Sequence, residues 1–407
     1  MQCIKELSNV YGQLFFVQEG SVLMKYEPTL QHERVHTLDV IRGLCLLGII
    51  IVNMYGFFLP LPYIELNAWY EGSPFELMWT QNLSIYIQGS IYPLFAMLFG
   101  YGVALQYART SAKGISFYSI APKRFFILAL IGIAHGLLIW WGDILLAYAI
   151  CAFIVLVFIR WTPRVLLISA LAINGLWQFL LFAGLIVSGG GQTPLSTYVD
   201  LAGIEQVVTA YTLGNWGDAF LQRLADYSYQ FQPLMWITTI LAYMLLGAAA
   251  AKWRLIERAS QLRLFWGIMA IIFVAVGIYT KSLFVLQDAS FLNYYIQSFI
   301  GGPLLAIGYA AVIIWLCSFA TVLKLATPFA NIGRVSMTMY LMQSVVMTLL
   351  SYQFGFGLYG KLDVPTMVYL AIGIYMLQVI LAQLYFLKWQ QGPIEFMWKR
   401  LSYRKYL

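Results

Sequence analysis

Long apolar runs constrain this chain more than any other feature of its sequence. Segments such as residues 40–59, 164–187 and 366–388 are almost entirely non-polar, and a helix of about 20 such residues spans the ~30 Å hydrocarbon core of a bilayer. Lipid offers the backbone no hydrogen-bond partners, so each run must be helical. A membrane β-barrel would alternate polar and apolar residues, and these runs do not. The sequence therefore predicts an all-α, polytopic transmembrane helical bundle.

Composition supports this prediction and hydropathy divides the chain into spans. Only 10% of the 407 residues are charged, whereas a soluble domain carries about 25%. Hydropathy predicts ten spans. They cover residues 40–59, 83–106, 124–141, 144–160, 164–187, 232–251, 264–285, 296–321, 331–352 and 366–388.

The distribution of basic residues predicts the orientation. If the N-terminus lies in the cytoplasm, all 24 Lys and Arg residues except Arg42, Arg223, Lys281 and Lys361 fall in cytoplasmic segments or at their edges. Cytoplasmic loops of membrane proteins carry such an excess of positive charge. We therefore expect both termini to be cytoplasmic, and the net charge of +7 requires no nucleic-acid partner.

The spans divide the chain into two membrane halves joined by a long external segment. Met24 begins a run that leads directly into the first span, so we expect that residues 1–23 are not native and that translation begins at Met24. The predicted parts are a cytoplasmic segment 1–33, spans one to five in 34–187, an external loop with surface helices in 188–231, spans six to ten in 232–388, and a basic cytoplasmic tail 389–407.

Polar residues inside apolar runs are candidates for a functional site, because placing them in a membrane is costly. Asp39 and Arg42 lie three residues apart at the start of the first span, so we expect them to pair on one helix face. Asn53, His135 and Gln343 each lie 11 or 12 residues beyond the cytoplasmic start of a span, which is about 16–18 Å deep. The sequence thus predicts a polar layer at one depth, above Arg42.

Each of these candidates also has a structural interpretation. Asn53 and Gln343 suit hydrogen bonds between helices, and His135 lies beside Gly136 in a sequence that favours close helix packing. Arg42 suits phosphate binding, but it also suits a pair with Asp39 and snorkelling toward lipid headgroups. Gln88 of the second span should reach the same level as the polar layer.

Asp143 follows His135 by eight residues, which corresponds to about 12 Å along a helix. At that separation we expect no direct hydrogen bond without a kink, and a water-linked relation remains open. Asp143 also suits the N-cap of the fourth span.

Several kinds of site are excluded. With only His32, His36 and His135 in the chain, no histidine-rich metal site forms. The four cysteines show no CxxC pair, so we expect neither a disulfide nor a metal site. The sequence contains no P-loop, HExxH or GxSxG motif.

Motifs spread along the chain carry a family resemblance. They are Arg34-x-x-x-Leu38-Asp39-x-x-Arg42-Gly43 with Val52-Asn53, Tyr92-Pro93-Leu94-Phe95 through Gly100, Gly132-x-x-His135-Gly136 through Asp143 and Tyr148, Gly333-Arg334 through Tyr340-Leu341-x-Gln343-Ser344, and Gly392-Pro393-Ile394-Glu395 with Trp398. Together they resemble the YeiB-like family of bacterial membrane proteins of unknown function, over nearly all of residues 34–403. This resemblance implies location in the bacterial plasma membrane. Met339 departs from it, since the family pattern has Asn there.

The opening Leu38-Asp39-x-x-Arg42-Gly43 is also similar to the first span of membrane acyltransferases, including the heparan glucosamine acetyltransferase type. Some of those enzymes place a catalytic histidine 11 residues after the arginine, where this chain has Asn53. Others place it in the following external loop, and residues 60–82 here contain none. His135 is the remaining candidate for a base inside the membrane.

The resemblance implies an acyltransferase that moves an acyl group from cytoplasmic acyl-CoA to a glycan, lipid or other small acceptor reached from outside. In that hypothesis Arg42 with Asp39 holds the donor and His135 is the base, while Asn53 and Gln343 orient substrate or stabilise charge and Asp143 tunes the outer mouth. Acyl-CoA is the donor substrate, no definite cofactor is assigned, and membrane lipids are the surroundings. A transporter or flippase of a small amphiphile is the alternative, and a regulatory protein without catalysis is a third.

Overall fold

The computed structural model describes residues 34–64, 73–194, 199–287 and 290–403. The expectation about residues 1–23 and Met24 lies outside these ranges. Within them the chain folds into helices, and the only extended pairing is an isolated bridge between Pro194 and Ser290. The prediction of an all-α fold is confirmed.

The longer helices are numbered here in chain order. They are α1 His36–Phe58, α2 Pro74–Tyr86, α3 Ile91–Ala112, α4 Ala121–Leu138, α5 Leu145–Phe158, α6 Pro163–Val187, α7 Leu201–Thr212, α8 Trp216–Gln230, α9 Pro233–Lys252, α10 Arg263–Leu286, α11 Phe291–Cys317, α12 Ala320–Leu325, α13 Thr327–Arg334, α14 Ser336–Ser351, α15 Val364–Phe386 and α16 Pro393–Tyr403. Helices α9 and α11 contain π-helical turns at Trp236–Leu241 and Ile296–Gly301.

Eight helical segments of the described chain are long and apolar enough to cross a membrane, with α2 and α3 counted as one segment. Two further helices run through the bundle, α5 with 14 residues and α14 with 16. These ten segments correspond in order to the ten predicted spans. The number of membrane crossings and the cytoplasmic placement of the termini stay predictions.

Glycines allow two pairs of helices to touch backbone to backbone. A Cβ built on Gly43 of α1 would lie 2.0 Å from the Phe329 carbonyl oxygen, and one on Gly333 of α13 would lie 1.9 Å from the Asp39 carbonyl oxygen. Gly100 of α3 packs equally closely against α9. Close approach at small residues is how helices associate where hydrophobic burial gives no drive.

The second predicted span is broken. Helix α2 ends at Tyr86 and α3 begins at Ile91, and Gly89 between them has φ +73°. Lys281 of α10 donates to the Gln88 carbonyl oxygen and to Ser90 Oγ. The placement of Lys281 on the external side stays a prediction. Its side chain is fully buried, because one carbonyl oxygen and one hydroxyl oxygen of the break accept from its ammonium inside the fold.

The two ends of the bundle can be defined by α4. At the end where α4 begins, termed the terminal end, the Trp398 indole of α16 donates to the Arg124 carbonyl oxygen at 2.9 Å. At the other end, termed the cap end, α7 and α8 form from the predicted external segment and are termed the cap helices. The ring of Tyr227 in α8 packs against Gly136 near the end of α4. The cap helices therefore cover the end of the bundle opposite to the one that carries α16.

Candidate functional site

A cavity of about 420 Å³ opens at the terminal end and extends into the bundle. This volume falls within the range of small-molecule sites, about 300–1,000 Å³. Its walls come from α1, α3, α4, α13, α14 and α16, with a contribution from the start of α5. The first and second halves of the sequence therefore build one site together.

The mouth of the cavity is strongly basic. Six cationic side chains line it, against two carboxylates. The cations are Arg34, Arg42, Arg109, Arg124, Arg334 and Lys399. A cleft lined by one sign of charge attracts ligands of the opposite sign. The mouth is therefore suited to an anion, and guanidinium groups favour phosphate and carboxylate oxygens.

Both carboxylates at the mouth are already engaged. Arg42 Nη1 donates to Asp39 at 3.0 Å, so the predicted pair forms, and Arg34 lies 3.9 Å from the same carboxylate. Glu395 of α16 accepts from the backbone N–H groups of Met337 and Thr338 at the start of α14. These contacts hold helices together, and the lining residues keep a formal excess of positive charge, with six cations against two carboxylates.

The inner part of the cavity is mainly apolar and aromatic. Ile49, Leu98, Phe99, Leu128 and Leu145 contribute to its walls. Tyr340 of α14 also lines the cavity, and its ring centroid lies 5.1 Å from that of His135. A ligand with an anionic head group at the mouth and a short apolar arm inside would match this distribution of polarity.

His135 and Asp143 form a buried pair beside the cavity wall. His135 Nδ1 lies 2.9 Å from Asp143 Oδ1, and the two side chains are 1% and 0% exposed. The sequence-based expectation of a 12 Å separation was wrong. It assumed one continuous helix, whereas α4 ends at Leu138 and the turn before α5 folds Asp143 back onto His135.

Asp143 also accepts from the Leu146 N–H at the start of α5 at 2.9 Å, so the expected capping role is present alongside the pair. An ionised carboxylate only accepts hydrogen bonds, so the contact places the imidazole proton on Nδ1. His135 Nε2 is then the acceptor nitrogen, and it is buried without a hydrogen-bond partner. This is the arrangement of a histidine base oriented by a carboxylate.

Gln343 lies in a helix contact instead of the cavity. Its amide nitrogen donates to the Leu46 carbonyl oxygen at 3.3 Å and to Gln378 Oε1 at 2.9 Å. Gln378 in turn donates to the Met339 carbonyl oxygen. The structural interpretation of Gln343, a hydrogen bond between helices, therefore describes these contacts.

The predicted polar layer does not line one cavity in the described part of the chain. Asn53 lies one helical turn beyond Ile49, which does line the cavity, but Asn53 itself does not. His135 does not line the cavity, but the ring of Tyr340, which does, lies 5.1 Å from the imidazole. Gln88 belongs to the break between α2 and α3, where its carbonyl accepts from Lys281. Of the predicted residues, the structure brings only Asp39 and Arg42 to the cavity and His135 and Asp143 to each other.

The sequence analysis missed most of the cavity. Arg124 was assigned only to the start of a span, yet its guanidinium lies 4.1 Å over the Trp398 ring and lines the mouth. Arg334 and Lys399 were counted only as positive charges of cytoplasmic segments. The sequence shows that basic residues cluster at helix ends. It does not show which of those helix ends lie side by side around one cavity. In the described residues no group of three His, Cys, Asp or Glu is placed to hold a metal ion.

Comparison with known proteins now adds to this geometry. Residues 250–405 match a family model described as "Protein of unknown function (DUF418)". The uncharacterized protein YxaH of Bacillus subtilis (strain 168) is 30% identical over 396 residues, which cover 93% of this chain and 96% of that protein. This chain belongs to the YeiB-like DUF418 family. The uncharacterized protein YeiB of Escherichia coli (strain K12) is 27% identical and matches 91% of this chain and 97% of its own length.

The YeiB-like relationship extends beyond the part matched by the family model. Helices α13, α14 and α16, which bring Arg334, Tyr340 and Lys399 to the cavity, lie inside residues 250–405. Arg42 and the His135–Asp143 pair lie outside that range, in the part matched by the full-length relatives. The cavity residues and the His135–Asp143 pair thus both lie in the region that aligns with the full-length relatives.

Proposed function

We propose that this protein is an acyltransferase of the bacterial plasma membrane, which takes an acyl group from acyl-CoA at the terminal end and passes it to an acceptor entering from the cap end. One observation carries the proposal. A single cavity joins six cationic side chains to apolar walls, and those walls end at Tyr340 beside His135 and Asp143.

The mouth suits the phosphates of the donor. Arg42, Arg124 and Arg334 approach from three different helices, and guanidinium groups bind phosphate oxygens in a planar, two-pronged manner. The pantetheine arm and the thioester then extend along the apolar walls. His135 is buried and does not line the cavity, so in this proposal the neighbouring Tyr340 ring turns aside to let the thioester reach it.

His135 acts as the general base in this proposal. Nε2 takes the proton of an acceptor hydroxyl as its oxygen bonds to the thioester carbon. The carbon–sulfur bond then breaks, and the proton passes from His135 to the departing thiolate, giving an ester and free CoA. Such base catalysis commonly supplies 10²–10⁴ in rate. Gln343 supports the helix packing beside this site, because its amide nitrogen donates to Leu46 and Gln378.

The experiment separates binding of the donor from transfer. Acetyl-CoA binding is measured on purified protein in lipid nanodiscs, for the wild type, Arg42→Ala, His135→Ala and the exposed control Arg164→Gln. We expect Arg42→Ala to weaken binding by about 10-fold or more, equivalent to ~1.4 kcal/mol. His135→Ala should bind normally and fail to transfer. Absence of binding for all short-chain acyl-CoAs would sink the proposal.

A second candidate, a transporter or flippase of an anionic amphiphile, is favoured by the helix break. The break between α2 and α3 exposes backbone groups that Lys281 satisfies, and π-helical turns lie in α9 and α11. Transporters build their binding sites from such interrupted helices. Flux of an amphiphile into proteoliposomes without any acyl donor, abolished in Arg42→Ala, would favour this function over acyl transfer.

A further inference from the structure

Arg223 in the cap helices carries a buried positive charge with little compensation. Its side chain is fully buried, and its Nε donates to the Leu137 carbonyl oxygen at 3.0 Å. Its Nη1 and Nη2 atoms are buried and have no hydrogen-bond partner. Burying a guanidinium with four unsatisfied N–H bonds is costly, so the site is built for a group that accepts them.

Nearby acidic residues do not supply that group. Asp226 lies three residues further along α8, but its carboxylate accepts from Tyr63, Tyr211 and Gln222. No ion pair joins Arg223 to a carboxylate in the ranges that the structure describes. The Trp216 ring lies 5.5 Å from the guanidinium carbon and covers it. The guanidinium is therefore held in place by neighbours that leave its outer nitrogens buried and unsatisfied within the described part of the chain.

The position of Arg223 relates it to the His135–Asp143 pair. Leu137, which accepts from Arg223, lies two residues beyond His135 on α4. Tyr227 lies one turn beyond Arg223 on α8, packs against Gly136, and has a buried hydroxyl without a partner. Arg223 Nη atoms, the Tyr227 hydroxyl and His135 Nε2 are thus unpartnered polar groups along one stretch of α4, on the side away from the basic mouth.

We propose that these groups form the acceptor subsite, and that the acceptor is an alcohol carrying a phosphate, in which Arg223 binds the phosphate and the hydroxyl lies toward His135. The inference rests on the proposed acyl transfer, and it names the acceptor class. Guanidinium offers two parallel N–H bonds to a phosphate, and the Tyr227 hydroxyl offers a third contact. A glycerol phosphate supplies this chemistry either as a free molecule or as a lipid headgroup.

The test uses full-length protein in nanodiscs without acyl donor, so that it does not depend on catalysis. Binding of sn-glycerol 3-phosphate is measured from the shift of the unfolding temperature, for the wild type, Arg223→Gln, Arg42→Ala and the control Arg164→Gln. Nanodiscs of phosphatidylcholine and of phosphatidylglycerol distinguish the free molecule from the headgroup. We expect binding at least about 10-fold weaker in Arg223→Gln, or ~1.4 kcal/mol, and unchanged in the control Arg164→Gln.

Two further variants test the inference in case Arg223→Gln does not fold. Tyr227→Phe removes a hydroxyl that has no hydrogen-bond partner among the described residues, and Arg223→Lys keeps the charge without the planar fork. Both should fold and bind the phosphate alcohol more weakly than the wild type. No binding by the wild type in either lipid, or equal binding by these variants, would overturn the inference.

The two proposals fail separately. If acyl-CoA does not bind but glycerol 3-phosphate binds through Arg223, the acyltransferase proposal fails and the anion site stands. If acyl-CoA binds through Arg42 and glycerol 3-phosphate does not bind, the acceptor class is wrong and the donor site stands. If the phosphate binding is lost in Arg42→Ala and kept in Arg223→Gln, the anion belongs to the basic mouth and this inference is wrong.

Discussion

At the scale of single residues, spacing along one helix was predictable and contact across a turn was not. Asp39 and Arg42 pair because residues three apart share a helix face. The His135–Asp143 contact depends on where α4 ends. The predicted span continued to residue 141, whereas α4 ends at Leu138. A helix continued by three residues would keep His135 and Asp143 apart, although they are in contact in the structure.

The first prediction concerns Asp143→Asn. The amide oxygen is needed to accept from the Leu146 N–H, so its NH₂ group faces His135 Nδ1 and drives the imidazole proton to Nε2. The base is then lost, and we expect transfer to fall by about 10²–10⁴-fold while acyl-CoA binding is unchanged. Asp363→Asn is the matched control, since Asp363 caps α15 through Thr366 far from the pair. Equal activity of the two variants would exclude the proposed role of His135.

The second prediction concerns pH and Asp226 in the cap helices. Burial raises the pKa of Asp226 above its ordinary value, although hydrogen bonds from Tyr211, Tyr63 and Gln222 act in the opposite direction. A carboxyl with a raised folded-state pKa stabilises the fold below its ordinary pKa, and the contribution is lost as pH rises through the raised value.

The wild type should therefore lose stability relative to Asp226→Asn as pH rises from about 4, the ordinary range of an aspartate pKa. The measurement is the unfolding temperature of both proteins in detergent between pH 4 and pH 8. Parallel curves for the two proteins would show that Asp226 does not titrate in this range.

At the scale of helices, periodicity and hydropathy predicted each membrane-length segment but not its interruptions. The break at Gln88 and Gly89 is short and polar residues there are few, so a hydropathy window passes over it. The cavity also could not be predicted at this scale, because its walls come from helices far apart in sequence. Arg42 and Lys399 line the same cavity only because α14 packs against both α1 and α16.

The third prediction tests the close contact of α3 and α9. A Cβ on Gly100 would lie 1.9 Å from the Met244 carbonyl oxygen, so Gly100→Val forces the two backbones apart. We expect a loss of about 1–3 kcal/mol or more in the free energy of unfolding, seen as a lower unfolding temperature in detergent. Gly175→Val in α6 is the matched control, because no atom lies within 4 Å of a Cβ there. An equal loss in both variants would show that the backbone contact is not the cause.

At the scale of the whole molecule, the charge distribution predicted that both termini lie on one side. The structure places the start of α1 and the whole of α16 at the terminal end, and the cap helices at the other. Which end faces the cytoplasm stays a prediction from the excess of basic residues. The fold itself gives two distinct ends.

The fourth prediction tests this assignment by cysteine labelling. Leu213 in the cap region is 79% exposed and Leu325 at the terminal end is 74% exposed. A membrane-impermeant thiol reagent added to intact cells should label Leu213→Cys and should label Leu325→Cys only after permeabilisation. Of the native cysteines, Cys45, Cys151 and Cys317 are buried, and Cys3, which lies outside the described residues, is replaced by Ser in both variants to keep the background low. Labelling in the reverse order would invert the orientation.

The contact of Lys281 with the α2–α3 break has a consequence for biosynthesis. Lys281 follows Ser90 by 191 residues, so at ~5–20 residues per second the ribosome reaches it roughly 10–40 s later. Throughout that interval the Gln88 carbonyl and Ser90 hydroxyl lie in a nascent chain without their final donor. The first half of the chain therefore reaches the membrane while these two oxygens still lack the Lys281 ammonium. We expect the insertion machinery to shield them from lipid until α10 has been synthesised.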